Sequence, residues 1–365
     1  MGYWWTLNPK GQYVDGHECP DVVAYCDGTF LPTIAKLEKC TRKYGSEDWE
    51  IMMDPNIRQM VMWWHDKSTF YAHDWRQTCW VHKLETAKPY AKGEGHSLMV
   101  ADFVSADHGW LQSPNGMEGA HVLFHAGKNC DGYFDNQNIC NQAGKAMEIL
   151  WKYYPDEDHV FIFDNVTTHL KRPEGALSAL KMTKGPSANF VVDANDLDNN
   201  GRPQYAPNGK ILKKKIPIGN SKLPNGEEQA FYYPNDPTHP HAGQFKGMAV
   251  ILEEHGFTEA RKWKAQCGKK CSDCRAGETH CCCHRTLFNQ PDFVGVESIL
   301  ETVVREKGYR VLFLPKFHCE LNFIEQCWEA AKRAYCLKPA SSSEADLERN
   351  VASCLDEVAL ISMHR

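Results

Sequence analysis

The sequence contains no run of about 18 apolar residues, the length a helix needs to cross a bilayer, so no stretch of it reads as a membrane span. Its first residues, MGYWWTLNPKG, lack the charged-then-apolar order of a secretory signal, which argues against export. Gly2 and Thr6 fit the bare myristoylation pattern, but Tyr3, Trp4 and Trp5 between them make a poor match. An excess of positive charge is missing too. Lys and Arg number 41 against 47 Asp and Glu, for a formal charge of −6. A protein that grips nucleic acid with its whole surface is normally basic, so only a local patch is left for such contacts. Residues 1–58 hold no long periodic segment, only a short apolar run at Val22 to Tyr25 and a helix-like stretch from Leu31 to Tyr44. Cysteine is plentiful. Sixteen cysteines in a chain with no export signal are expected to be reduced thiols or metal ligands.

A length of 365 residues suits two domains, or one with a large insertion, and a hydrophobic share of 42% is enough for a real core. Strands are expected at 59–65, 77–82, 97–104 and 120–125, separated by Gly-, Asn- and Asp-containing turns. Asp135 to Tyr154 has apolar residues at helical spacing, with Pro155 just beyond. Val160 to Phe163 is an uninterrupted apolar strand followed by Asp164 and Asn165. Val296 to Lys307 reads as a helix, and Val311 to Leu314 as a core strand stopped by Pro315. From about Asn322, Ile324, Trp328, Ala331 and Tyr335 recur every three or four positions, which predicts a helix with Glu325 in its first turn. Ser343 to Leu360 closes the chain as a capped helix. Strands followed by alternating helices and strands require an α/β fold, a mixed sheet flanked by helices.

Three carboxylates stand at the ends of these buried elements: Asp66, after the apolar run from Gln59 to His65, then Asp164 and Glu325. Each has a plain alternative. Asn322 and Glu325 have the spacing of a capping box, and strand-end Asp residues commonly cap turns. Asp102, after Leu98 to Ala101, is a rival to Asp66. Asn165, His169 and Asn322 either line a site or serve as turn and cap residues.

The blocks from His65 to Lys83 (HDKSTFYAHDWRQTCWVHK), Val160 to His169 (VFIFDNVTTH) and Leu314 to Arg333 (LPKFHCELNFIEQCWEAAKR) resemble the three acidic motifs of mariner-type DDE transposases. The third is the most specific, matching at Pro315, Leu321, Asn322, Ile324, Glu325, Trp328 and Lys332. The resemblance implies a ribonuclease-H-like core and a catalytic triad of Asp66, Asp164 and Glu325 that holds two Mg²⁺ or Mn²⁺ ions. In it Asp66 would bridge both ions, Asp164 would hold one, and Glu325 the other while steering the attacking water. Two hard cations of this kind drive phosphodiester cleavage, and a freed 3′-hydroxyl replacing water would join strands. DNA, as transposon ends and target, is then the partner, the nucleus the place of work, and a homodimer is admitted. Lys67 departs from the family, which commonly has a second acid there; it would either pair with phosphate or weaken metal binding. The helix-turn-helix modules usual ahead of such a core find no room in residues 1–58, which suggests a core whose targeting domain is lost or cut away. The organisation expected is 1–58 of unassigned role, 59–172 the first part of the core, 173–292 an insertion, 293–338 the second part, and 339–365 a C-terminal helix. A retired, non-cutting domain that binds DNA or protein is the alternative. A zinc-stabilised interaction protein with accidental acids is a third.

The insertion begins with a stretch rich in Pro, Asn, Gly and Lys, up to about Gly243, expected to be an extended loop or hairpin arm. Further on, CGKKCSDCRAGETHCCCHR offers Cys267, Cys271, Cys274, His280, Cys281, Cys282, Cys283 and His284. The separation of Cys271 from Cys274 repeats in Cys281 and His284, so these four are the first choice for a tetrahedral Zn²⁺, with Cys267, Cys282 and Cys283 as substitutes. The alternative is a loop of unpaired thiols. Asp196 to Gly201 imitates the opening of a calcium loop but fails at Pro207, where a bidentate Glu is needed. Lys213, Lys214 and Lys215 form either a solvated face or a DNA contact.

Overall fold

The computed structural model describes residues 16–44, 50–51, 57–73, 93–127, 130–199, 204–206, 211–223, 225–268, 271, 273–274 and 278–364. The strand expected at 77–82 lies outside them. Two compact units make up the chain: Met1–Leu170 with Leu300–Arg365, and Lys171–Ile299.

The first unit is built on a sheet of six strands: β1 (Met60–Tyr71), β2 (Ser97–Ser105), β3 (Gly109–Trp110), β4 (Val122–Phe124), β5 (Asp158–Phe163) and β6 (Arg310–Phe313). Their order is β6-β5-β1-β2-β3, with β4 also paired to β2. The pairs β6–β5 and β5–β1 are parallel, while β1–β2, β2–β3 and β2–β4 are antiparallel. The helices are α1 (Asn136–Tyr153), α2 (Ile299–Glu306), α3 (Ile324–Tyr335) and α4 (Glu344–Asp356). This is a mixed sheet flanked by helices, as the order of apolar runs required.

Side-chain alternation along β1 sets what each face of the sheet carries. Val61, Trp63 and His65 are fully buried, and the His65 ring lies against Phe103, Phe163 and Gln142 of α1. The other face packs Phe70, Leu98, Val100 and Val104 against Ile324, Trp328, Ala331 and Tyr335 of α3 and Leu347 and Val351 of α4. Two-residue periodicity puts Asp66 with Phe70, on the face toward α3. One expectation is corrected here. The first strand does not stop at His65, because Trp64 through Tyr71 pair with Val104 through Ser97; Asp66 therefore sits within a strand of 12 residues.

Helix α1 begins where Asp135 accepts hydrogen bonds from the Gln137 and Asn138 N–H groups, satisfying two donors that a helix start leaves open. The N-terminal segment contributes to the core. Three consecutive helical turns, Pro20–Tyr25, Cys26–Phe30 and Leu31–Leu37, bring Phe30 and Leu37 against Met60, Val160, Ile162, Leu312 and Leu314. The Tyr25 hydroxyl donates to the Phe313 carbonyl at 2.7 Å. The helical stretch runs through a 3-10 turn, Glu38–Cys40, and Lys43–Tyr44 then forms a short strand paired with Glu50–Ile51.

The second unit has its own core of Leu177, Phe190, Phe231, Phe245, Met248, Leu252, Leu287 and Phe293, among others. Its ends meet in a hydrogen bond from the Ile299 N–H to the Lys171 carbonyl, 2.8 Å. The stretch expected as an extended loop or hairpin arm contains two hairpins, Val192–Asn195 with Lys213–Ile216 and Ser221–Lys222 with Glu228–Gln229. Single aromatics widely spaced in the sequence supply its buried contacts, such as Phe190 on Phe245 with ring centroids 4.1 Å apart. Such spacing leaves no periodic signal.

Trp328 is 2% exposed and packs on Trp110 with centroids 5.1 Å apart, fastening α3 to the sheet. Trp328→Ala should destabilise the first unit by about 3–5 kcal/mol, read as a shift of its urea unfolding midpoint. An unshifted midpoint would contradict this packing.

Candidate functional site

Asp66, Asp164 and Glu325 come from three separate stretches of chain, and the charges of Asp164 and Glu325 are both felt at Asp66. Asp66 is pushed up to about 7, first by burial and then by the charges of Asp164 and Glu325, against the lowering effects of the Lys67 backbone N–H and the Lys67 charge. Asp164 is also raised, by burial and then by Glu325, while Asn322 and Lys67 pull it down. Glu325 is exposed in the first turn of α3. Mutual influence of this kind requires the three carboxylates to be near neighbours.

Asp164 follows the last residue of β5, where the chain leaves the sheet. Its main-chain carbonyl accepts from the Val166 N–H at 2.9 Å and from the His169 ring Nδ1 at 2.8 Å. His169 is 2% exposed, and burial, opposed by that hydrogen bond, holds its pKa down at about 4. A neutral ring donating from Nδ1 keeps Nε2 as an acceptor, and Nε2 is buried with no hydrogen-bond partner.

The spacing of Asn322 and Glu325 suggested a capping box. The structure uses Asn322 differently. Phe323 holds the N-cap position with helical dihedrals and no side-chain cap bond. The Asn322 side chain, 1% exposed, points its amide at the sheet. Nδ2 donates to Asp164 Oδ1 at 3.1 Å and to the His65 carbonyl at 3.4 Å. One side chain thus ties the start of α3, the end of β5 and the β1 backbone next to Asp66. The Asn322 main-chain carbonyl accepts from the Glu325 N–H at 3.0 Å, extending the tie to the third carboxylate.

Asp102 stands opposite Asp66 in the β1–β2 register. It is 3% exposed and takes the Phe103 N–H at 2.7 Å. Burial raises it well above the usual carboxylate range, and the charge acting on it is that of Lys145. Asp66, by contrast, responds to Asp164 and Glu325.

Asp66, Asp164 and Glu325 offer the hard oxygen donors a divalent cation takes, and the charges of Asp164 and Glu325 both reach Asp66, but their oxygens do not all lie within 4.8 Å of one another as the sulfurs of the cysteine cluster do; the Asn165 and Asn322 side-chain oxygens are buried and without hydrogen-bond partners. Lys67 lies beside them, its ammonium 5.5 Å from the centre of the Phe134 ring.

No protein-family model and no curated protein matches the chain. Solved structures of Mos1 transposase do. Its paired-end complex with the left transposon end aligns at 12% identity and a TM-score of 0.28, over 46% of this chain and 42% of that one. The mariner Mos1 paired end complex with Mg aligns at 13% identity and a TM-score of 0.28, over 46% and 42%. The Mos1 Strand Transfer Complex gives 12% and 0.27, over 45% and 41%. The alignment therefore spans well under half the length of those chains, and a likeness at this level is a partial resemblance and nothing more.

In the second unit, the sulfurs of Cys267, Cys274, Cys281 and Cys282 all lie within 4.8 Å of one another. Of the set expected from spacing, Cys274 and Cys281 are in this cluster, while Cys271 bonds His284 at 3.1 Å and its thiol also meets those of Cys274 and Cys282. Cys283 turns into the core, its thiol donating to the Ala260 carbonyl at 3.3 Å, and His280 bonds Thr279. Of the calcium-like turn, residues 200–203 and 207 lie outside the described residues; in the rest, Asp196 joins a hairpin through bonds to Leu212 and Gln204. Lys215 pairs with Asp193, and Lys213 bonds Asn195, so this run sits on a surface strand with polar partners of its own.

Sequence reading missed His65 and Gln142. The His65 ring, next to Asp66 in sequence but on the opposite face of the strand, is fully buried and bonds Gln142 Oε1 at 3.0 Å, while Gln142 Nε2 donates to the Ala101 and Ala120 carbonyls. The only signal was a polar residue inside an apolar run.

Two outcomes follow. Asn322→Ala should cost about 1–3 kcal/mol of stability by leaving buried partners unpaired, measured by denaturant unfolding of the full chain; a neutral effect would remove Asn322 as the tie. For Asp66, a folded-state pKa of about 7 against an ordinary carboxylate value near 3.8 in the unfolded chain means the folded chain holds its proton longer. Without divalent cations, this group's contribution to stability falls as pH rises from about 4 to about 7, by on the order of 2–4 kcal/mol. Asp66→Asn should therefore raise the melting temperature at pH 8 and leave it nearly unchanged at pH 4. Equal melting temperatures at pH 8 would contradict the crowding.

Proposed function

We propose that the first unit is the catalytic core of a metal-dependent DNA nuclease and strand-joining enzyme of the DDE transposase kind, ribonuclease-H-like in fold. What carries this reading is that carboxylates drawn from three motifs meet beside the central strands of one sheet, where the charges of Asp164 and Glu325 raise Asp66 and that of Glu325 raises Asp164. The antiparallel β1–β2 pair followed by the parallel β5 and β6 supports the fold.

Asp66, Asp164 and Glu325 are the residues that would hold Mg²⁺ or Mn²⁺. Such ions, when bound, supply activation of the attacking hydroxyl and charge relief on the leaving oxygen. Asp66, which responds to both other carboxylates, is the central ligand, and its proton must leave for the site to load. Asn322 keeps Asp164 in one orientation, and His169 fixes the turn that presents it. Lys67 supplies a positive charge for a backbone phosphate. Asp102, engaged with its own strand, is assigned no part in the chemistry. On this reading the partner is DNA, as transposon ends and target, the chain acts in the nucleus, and the homodimer is its assembly.

Lys67 and the net acidity also favour a second reading, a retired domain that binds without cutting. Incubating the full chain with supercoiled plasmid and Mg²⁺ or Mn²⁺ separates the two. Nicking is expected, with Asp164→Ala slower by about a thousandfold, roughly 4 kcal/mol of barrier, and Asp102→Asn within a few-fold of the unaltered chain. Nicking indifferent to Asp164→Ala would reject the mechanism. No nicking by the unaltered chain with plasmid binding retained would favour the retired domain.

A further inference from the structure

The stretch from Gln266 to His280 has almost no apolar side chains, yet its described residues take up a tight, specific arrangement. Gly268 and Cys271 both have left-handed backbone, φ 68° and 61°, and for Cys271 that conformation is unfavourable without some compensating interaction. Backbone bonds from the Asp273 N–H to the Cys267 carbonyl, 3.1 Å, and from the Cys274 N–H to the Cys271 carbonyl, 3.2 Å, turn the loop so that its thiols converge. Hydrophobic burial does not explain this.

Four sulfurs meet there. Cys267, Cys274, Cys281 and Cys282 are mutually within 4.8 Å, with Cys281 Sγ 3.4 Å from Cys274 Sγ, and none of the four is in a disulfide. A tetrahedral zinc with bonds of about 2.3 Å spaces its sulfurs about 3.8 Å apart, so a modest adjustment would seat the ion. Uncharged thiols have no reason to gather in this way, since S–H groups are weak donors and acceptors. The site is also supported from outside. The Arg285 N–H donates to Cys282 Sγ at 3.4 Å, the kind of bond that orients a metal-bound thiolate. The next residue, Cys283, enters the unit's core beside Leu287. The cluster is thus coupled to the helix Cys283–Phe288 and through it to the buried residues.

We propose that Cys267, Cys274, Cys281 and Cys282 hold one structural Zn²⁺ that fixes the Cys267–His284 loop to the core of the second unit. All four positions are filled by protein, so the ion has no open site for a substrate and its role is to stabilise the fold. Cys271 touches the thiols of Cys274 and Cys282 but is engaged by His284 at 3.1 Å, and the proposal leaves both Cys271 and His284 outside the ligand set. The inference rests on the second unit alone and survives or fails independently of the nuclease reading.

The test uses the full chain, produced with zinc in the medium and purified by gel filtration. Metal analysis should give one zinc per chain, and zinc-edge X-ray absorption of the unaltered protein should give a first shell of four sulfurs at about 2.3 Å. Cys271→Ala and His284→Ala should keep the metal, and Cys274→Ser and Cys282→Ser should lose most of it. Chelation should quench or shift the fluorescence of Trp263, which packs against this core, and speed proteolysis between residues 171 and 299. A folded sample without zinc would overturn the proposal. So would a shell containing nitrogen, which the absorption spectrum reads without any variant that might fail to fold, or loss of zinc from Cys271→Ala with retention in Cys282→Ser.

Discussion

Three negative charges brought close together in a partly buried place repel one another, and the first unit is arranged to hold them there regardless. Asn322 is the chief restraint. Its amide reaches Asp164 and the β1 backbone at His65 in one gesture, while its own carbonyl receives the Glu325 N–H. Because Asn322 is almost fully buried, its hydrogen bonds are made where water cannot substitute, and each counts for more than it would at the surface. The remaining relief comes from Lys67, which pulls both Asp66 and Asp164 toward their charged forms.

Around that tie the packing follows from elementary patterning. Strand β1 buries Val61, Trp63 and His65 on one face, where His65 bonds Gln142 of α1, and turns Phe70 to α3 on the other, with Asp66 on the α3 side. Helix α3 is pinned by Trp328 and Tyr335, whose hydroxyl donates to the Tyr71 carbonyl at 2.9 Å. The apolar contacts therefore decide where Glu325 is delivered, and the polar ones decide how the carboxylates are oriented. Neutral, buried His65 and His169 back the site, with rings 5.7 Å apart, and burial lowers both, so they add no charge to it.

Much of this was legible in the sequence because the determinants are local. Asp164 follows an apolar strand and Glu325 opens a helix whose spacing is plain. The extent of β1 was not legible, since Lys67, Ser68 and Thr69 break the apolar run and only pairing with β2 continues the strand. The capping-box spacing misled for a similar reason. A three-residue interval says that Asn322 and Glu325 are near each other, but a buried carboxylate across the sheet offered the amide a stronger acceptor. The second unit hid its core in isolated aromatics such as Phe190, Phe231 and Phe245, and its cysteines offered more ligands than one metal uses. Which four converge is set by left-handed turns at Gly268 and Cys271, which a spacing rule does not contain.

The central claim is that Asp66, Asp164 and Glu325 form one cation site. Crystals of the full chain soaked in Mn²⁺ and measured near the manganese edge test it directly. The account predicts anomalous density bounded by those three carboxylates, lost in Asp164→Ala crystals. Manganese bound elsewhere, with the three carboxylates facing bare solvent at saturating Mn²⁺, would contradict it.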